Sequence, residues 1–389
     1  MTAPAAKRCD TVDSPSAAQL WLTPGPDCSE LVDEFVASHG QRVDVDGLLD
    51  SLGLDSLGFD KLDRGLLGFL RWSSRPSRAV EVKPPAPIAT YGFRWRFWDC
   101  LTLRWWPQGI TTSADASDTG VVGGREVVVV SWYAKRVRGR SLGVRLSFID
   151  VTDRDRPTYR HVLLVEPVRD DRSGVVEPRL VRVHAGGVVW YGPSVWVADT
   201  YGGFRLFDLN DAVRLGGDHI EGYRYVLPQR TSYLNAADEG AQPFRFSFVS
   251  LDRSGAVPWL LTGEYGDLAA PRRVARYRLD PGSGRLAVTD DGCARPVELV
   301  TDGPQRMQGA VAMNGRHYLA TSNGRWRRGN LWTTKPGEGP QDQGSVLAVG
   351  PEDLAYWPQR DELWNLSEHP LRRYVYALPP LHQSERSCT

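Results

Sequence analysis

The chain has 389 residues, 41% of them apolar, with 39 Gly and 27 Pro. That is enough apolar material for a sizeable core, and so many turn-formers suit an all-β architecture better than a helical bundle. Lys and Arg number 47 and are balanced by 47 Asp and Glu, so the chain as a whole offers no electrostatic case for a nucleic-acid partner.

The cations are nearly all Arg. The only lysines are Lys7, Lys61, Lys83, Lys135 and Lys335, a bias expected of a GC-rich genome such as an actinobacterium. The five cysteines (Cys9, Cys28, Cys100, Cys293 and Cys388) show no CxxC and no zinc spacing. Reduced thiols are expected, with Cys9–Cys28 the one bridge left open. Residues 1–10 carry no apolar leader core and no stretch is long enough to span a membrane. A cytoplasmic location is expected, with secretion as the alternative.

In chain order, residues 1–88 read as a helical N-terminal segment and a Pro-rich linker. Leu and Phe recur at helical spacing over Ser29–Phe35 and Val45–Trp72, and Asp44 or Asp46 is placed to cap the second helix. Four glycines (Gly53, Gly58, Gly65 and Gly68) predict that this helix is broken. The short run from Leu52 to Leu57, with Ser56 after Asp55, resembles a phosphopantetheine attachment site, but the surroundings depart from a carrier domain. Residues 76–87 are the connector.

Residues 89–389 read as β-propeller. Short β runs follow one another, separated by Gly, Asn, Asp and Pro. A first set covers Val127–Tyr133, Gly143–Val151 and Tyr159–Glu166. A second covers Val181–Tyr191, Ser194–Asp199, Gly203–Leu209 and Tyr223–Leu227. A third covers Arg245–Leu251, Trp259–Tyr265, Arg273–Leu279 and Pro296–Val300. A fourth covers Gln308–Met313, His317–Ser322, Gly329–Thr334 and Ser345–Val349. The last, Asp353–Trp357, Glu362–Leu366 and Arg373–Leu378, lacks a strand, which Tyr91–Asp99 is predicted to supply by closing the ring. The predicted fold is all-β, a single propeller of five blades, or six if two are merged. A pair of β-sandwiches is the rival.

In a propeller the start of each innermost strand faces the channel mouth. The predicted polar ring there is Gln108, His184, Gln308 and Glu352, with Ser247, several set beside glycines that let backbones crowd the axis. Buried polar groups need partners, supplied by one another, water or a ligand. Ends of the second strands add Trp132, Tyr133, Asp199, Tyr201, Glu264, Tyr265, Glu368 and His369. Among these Glu352, Glu368, His184, His369 and Asp199 are the predicted acid–base groups. Gln108, Gln308, Trp132, Tyr133, Tyr201, Glu264 and Tyr265 are predicted to bind substrate. Arg325, in a basic loop with Arg327 and Arg328, is a predicted anion clamp. No cofactor is expected; if a divalent cation serves, Glu352 and His184 are its ligands. No P-loop, GxSxG, HExxH or dinucleotide-binding fingerprint is present.

Segments 107–116 (PQGITTSADA), 183–192 (VHAGGVVWYG), 197–209 (VADTYGGFRLFDL), 307–315 (MQGAVAMNG), 350–358 (GPEDLAYWP) and 363–370 (LWNLSEHP) resemble an actinobacterial family described only as secreted or hypothetical proteins. The resemblance implies a propeller and brings no reaction. Gly350-Pro-Glu352 is distantly similar to lactonase and strictosidine-synthase propellers, in which a Glu holds a metal.

The function expected from these residues is a cofactor-independent cyclase or isomerase of actinobacterial specialised metabolism. It would act on an apolar substrate in an aromatic-lined axial pocket, with a small molecule as its partner. The alternatives are a metal-dependent lactonase or hydrolase, and a non-catalytic glycan- or protein-binding propeller. A glycosidase would pair Asp199 with Glu352 across the channel.

Overall fold

The computed structural model describes residues 10–11, 15–52, 76–217, 219–335 and 337–381. Its strands form four-stranded antiparallel units. Blade I runs Trp105–Thr112, Val127–Ala134, Val144–Asp150 and Thr158–Arg169. Blade II runs Val188–Tyr191, Ser194–Asp199, Gly203–Asp208 and Tyr225–Ala237. Blade III runs Phe248–Asp252, Trp259–Gly263, Val274–Arg278 and Glu298–Val300. Blade IV runs Met307–Met313, Arg316–Thr321, Asn330–Thr334 and Gln341–Asp342. Blade V runs Pro351–Trp357, Glu362–Ser367, Tyr374–Leu378 and Tyr91–Arg94. The first strands pack on one another in the order I to V and back to I. This is a β-propeller.

The apolar runs follow from that arrangement. A strand sandwiched between two blades is buried on both faces, so it need not alternate with polar residues. Val127 and Val129 pack with Val188 and Trp190 of blade II, while Val128 and Val130 pack with Trp357 and Trp364 of blade V. Each gap between neighbouring blades holds an apolar cluster of this kind.

Glycine sets how closely the first strands approach. A Cβ on Gly187 would stand 2.1 Å from the Val249 nitrogen, and one on Gly309 would stand 2.6 Å from the Asp353 Cα. A Cβ on Gly109 would meet the Gly187 carbonyl carbon at 2.6 Å. Gly109, Gly187 and Gly309 thus bring backbone directly against backbone at the axis.

The ring closes as the sequence predicts. Tyr91–Arg94 pairs with the last strand, from Tyr374↔Arg94 to Ala377↔Tyr91. The remainder of that stretch turns into a short helix, Phe97–Leu101. From it the buried Asp99 carboxylate reaches blade I, accepting from Arg145 at 2.8 Å and from the Tyr159 hydroxyl at 2.7 Å.

The N-terminal segment is a belt around the blade edges. Asp10–Thr11 pairs with blade III and Leu20–Pro24 with blade II. Ser77–Arg78 then pairs with blade I, and Val80–Glu81 with the closing strand of blade V. Ser29–His39 is helical and buries Val32 and Phe35. Val45–Asp50 is helical, with the Asp44 carboxylate accepting the Gly47 N–H at 2.7 Å. The rest of the predicted second helix, the Ser56 motif, Cys9 and Cys388 lie outside the described residues. Cys28, Cys100 and Cys293 are free thiols. No helix among the described residues is long and apolar enough to cross a membrane.

Three boundaries differ from expectation. The innermost strand of blade I, expected from an entry at Gln108, begins three residues earlier and runs Trp105–Thr112, with Pro107 and Gly109 interrupting its β pattern. Pairing in the 181–191 stretch begins only at Val188, because Ala185 adopts φ 54° and the two following glycines cross the axis. Ser345–Val349 is not the outer strand of blade IV; Gln341–Asp342 is. The 345–349 stretch instead joins blades IV and V, with the Ala348 N–H donating to the Tyr376 hydroxyl at 2.9 Å.

The glycine contacts make a direct prediction. Gly309→Ala should cost about 2 kcal/mol or more in chemical denaturation, because backbone rather than a yielding side chain meets the new methyl. Gly339→Ala, with nothing within 4 Å of its Cβ position, should stay within about 0.5 kcal/mol of the parent. Equal costs would show that the axis is not close-packed.

Candidate functional site

Among the described residues, the innermost strands of blades I, IV and V each carry a bulge. Register slips between Pro107 and Ile110, between Met307 and Gly309, and between Pro351 and Leu354. A bulge frees a residue from the ladder and re-aims its side chain. The residues at these slips include Gln108, Gln308 and Glu352, which turn into the channel. The strands of blades II and III begin later, and His184 and Ser247 stand ahead of them.

Together these residues line a cavity of about 400 Å³ at one mouth of the axis, joined by Thr200, Tyr201, Arg245, Tyr265 and Glu368. The predicted ring of Gln108, His184, Ser247, Gln308 and Glu352 is therefore brought together. Tyr201 and Tyr265 are exposed at its edge.

Two carboxyl groups face this space. Glu352 is 3% exposed, and its Oε1 accepts from the Gln308 amide at 3.4 Å. Burial, then the neighbouring charge of Glu368, then that of Asp353, hold its pKa well above the usual carboxylate range. The Glu368 Oε2 accepts from the Gln108 amide at 3.3 Å. Burial raises its pKa too, but Lys135, the Gln108 donor, Arg373 and Arg325 all oppose that rise. Both carboxyls are thus shifted towards the neutral acid, Glu352 further than Glu368, because the donors and cations around Glu368 offset part of its burial.

His369 Nδ1 lies 3.3 Å from Glu368 Oε1. Burial and the cations Arg325, Arg372, Arg373 and Lys135 lower its pKa and favour the neutral ring. The His184 ring lies tilted beside that of Tyr133, with ring centroids 4.3 Å apart. The surrounding walls and then Lys135 lower its pKa, although its ring meets solvent at the mouth, which limits the shift. Burial, followed by the charges of Glu368 and Glu352, raises the Tyr133 hydroxyl pKa, so Tyr133 stands beside the pair. Arg325 is exposed at the rim and acts on Glu368 and His369 from there.

Three predicted site residues belong elsewhere. Asp199 closes a turn by accepting from the Gly202 N–H and pairs with Arg205 Nε, each at 3.2 Å. It is not among the residues that line the cavity with Glu352. Glu264 is fully buried and spent on Arg273, which donates to both its oxygens at 2.8 Å. Trp132 is a core wedge with no exposed surface, packed edge-on to Trp95 at 4.8 Å. The lining is accordingly polar, and the aromatic-lined apolar pocket expected from 14 Trp is not what forms.

Three residues were missed. Asp353, fully buried, accepts from the Leu354 N–H at 2.9 Å and the Ile110 N–H at 3.4 Å, tying blade V to blade I beneath Glu352. Arg245 lines the cavity. Lys135 lies against Trp106 with its ammonium 3.2 Å from the ring centroid. Its rarity was the available signal, since it is one of few lysines in an arginine-rich chain. His184, Glu352 and Glu368 border one cavity, yet among the described residues no three His, Cys, Asp or Glu converge as a metal-holding group.

No family model matches the chain and no curated protein does. Among solved structures, the chain is similar to a GH43_1 enzyme from Xanthomonas citri at 12% identity and TM-score 0.36, covering 72% of this chain and 89% of that one. It is similar to RS223-Beta-xylosidase at 11% identity and TM-score 0.33, covering 72% and 93%. It is also similar to Kuenenia stuttgartiensis Hydrazine Synthase at 13% identity and TM-score 0.33, covering 68% and 74%. None of these likenesses reaches a TM-score of 0.5, so no activity or residue role is carried across from them.

The state of Glu352 is testable through stability. A carboxyl whose pKa is raised by folding stabilises the native state while protonated, and that contribution is lost as pH rises through the folded pKa. The melting temperature should therefore fall as pH rises above the usual carboxylate range, and Glu352→Gln should flatten that fall. An identical pH dependence in parent and variant would mean that Glu352 is ionised as in water.

Proposed function

We propose that the chain is an enzyme whose axial cavity binds a small polar molecule and moves protons on it without a cofactor, in an isomerase- or cyclase-type reaction. One observation carries this reading. Glu352 and Glu368 face the same cavity, each steadied by a glutamine amide, and burial raises the pKa of Glu352 further than that of Glu368, where nearby cations oppose the rise. Separated pKa values within a carboxyl pair assign an acid and a base.

In this mechanism Glu368 is the base. It accepts a proton from substrate carbon or oxygen, and Lys135 and Arg373 nearby favour its charged form. Glu352 is the acid. It enters protonated and donates to the atom on which negative charge develops. Gln108 and Gln308 fix the two carboxyl groups in place, so little reorganisation is needed at the moment of transfer. The neutral His184 ring and the raised Tyr133 hydroxyl offer hydrogen bonds at the mouth without adding charge. The apolar substrate expected from the Trp content gives way here to a polar one, because the lining is Gln, His, Thr, Ser, Arg, Tyr and Glu.

The test needs no known substrate. The protein is incubated with small-molecule extract in deuterated water, and mass spectrometry looks for new carbon-bound deuterium. The parent should label at least one compound, and Glu352→Gln or Glu368→Gln should slow labelling by roughly 10²–10⁴-fold. Labelling that both variants leave unchanged, or no labelling at all, would overturn the proposed reaction.

A further inference from the structure

The cations around the axial cavity outnumber the carboxylates that could pair with them. Most buried or half-buried arginines spend their guanidinium on a carboxylate: Arg125 on Asp150, Arg154 on Glu362, Arg230 on Asp211, Arg273 on Glu264, Arg276 on Asp252. The cations at the axial mouth do not. Among the described residues no carboxylate comes within ion-pair distance of the Arg245 or Arg325 guanidinium or the Lys135 ammonium; Glu264 accepts only the Arg245 backbone N–H, at 3.0 Å.

Arg245 lines the cavity beside His184 and Glu352. One of its terminal nitrogens donates to the Pro271 carbonyl at 3.3 Å, and its buried Nε finds no partner. Lys135 is half-buried, held only by the face of Trp106. Arg325 stands at the rim. Against these three cations the cavity offers two carboxyl groups, and one of them, Glu352, is buried where a charge is disfavoured. The mouth therefore carries net positive charge with donors unspent.

We infer that the axial cavity takes a small organic anion, whose carboxylate or phosphate oxygens are held by Arg245 and Lys135 while its neutral part lies between Glu352 and Glu368. A guanidinium fork suits either oxyanion, and the lysine adds a point charge. Arg325 steers the anion toward the mouth from the surface, a contribution that salt should weaken. This inference rests on the axial cavity being the working site and adds the class of molecule that enters it.

Isothermal titration of the full chain with inorganic phosphate and, separately, citrate tests it without any turnover. Saturable binding of at least one probe is expected, stronger at low salt, and weakened by about tenfold or more in Lys135→Met and in Arg245→Gln. The stronger probe identifies which oxyanion the site prefers. Glu352→Gln should still bind the anion, which separates this result from loss of the proposed proton transfer. Arg325→Gln, an exposed change, guards against misfolding as the cause and should weaken binding chiefly at low salt. Absence of saturable binding of both probes, or binding that both Lys135→Met and Arg245→Gln leave unchanged, would overturn the inference.

Discussion

Everything at the axis depends on how closely the first strands of the blades can approach. Backbone meets backbone where Gly109, Gly187 and Gly309 stand, at separations that leave no room for a Cβ. That crowding leaves no width for a straight ladder with side chains on the channel side, and the strands of blades I, IV and V respond with bulges. The bulges in turn carry Gln108, Gln308 and Glu352 to the channel mouth. The same packing constraint that closes the ring therefore also builds the polar site.

Asp353 shows how structure and site share one strand. Its buried carboxyl takes up backbone N–H groups of Leu354 and Ile110, so the inner strand of blade V is pinned to that of blade I. Glu352, one residue earlier, then has a fixed base from which to face the cavity. The Arg373 guanidinium plays a similar part for Glu368. It donates to the Glu368 carbonyl at 2.7 Å and to the Asp99 carbonyl at 2.8 Å, linking the site to the helix that follows the closing strand. Closure of the ring and placement of the second carboxyl are thus mechanically connected.

Much of this was legible in the sequence. Runs such as Val127–Val130 are buried on both faces, and the turn residues between them mark strand ends, so the blades and the closing strand could be read from local pattern. The polar ring could be read because Gln108, Gln308 and Glu352 sit beside glycine or proline at a strand start. What escaped was decided by long-range pairing. Asp199 and Glu264 look like acids at strand ends, but Arg205 and Arg273 consume them, and partners across a blade leave no trace in local sequence. Trp132 alternates onto the core face while its neighbour Tyr133 reaches the mouth. Arg245 and Lys135 became visible only once the ring placed Arg245 in the cavity wall and Lys135 close to Glu368 and His184, without ion-pair partners among the described residues.

The account turns on two carboxyl groups in one cavity holding different protonation states. Carbon-13 NMR titration of glutamate side-chain carboxyls, assigned with the Glu352→Gln and Glu368→Gln proteins, measures this directly. The Glu352 signal should stay that of a neutral acid through a pH range in which Glu368 is already ionised, and Glu352 should titrate lower once Glu368 is replaced by Gln, because the neighbouring charge is then gone. Two signals that titrate together in the ordinary carboxylate range would contradict it.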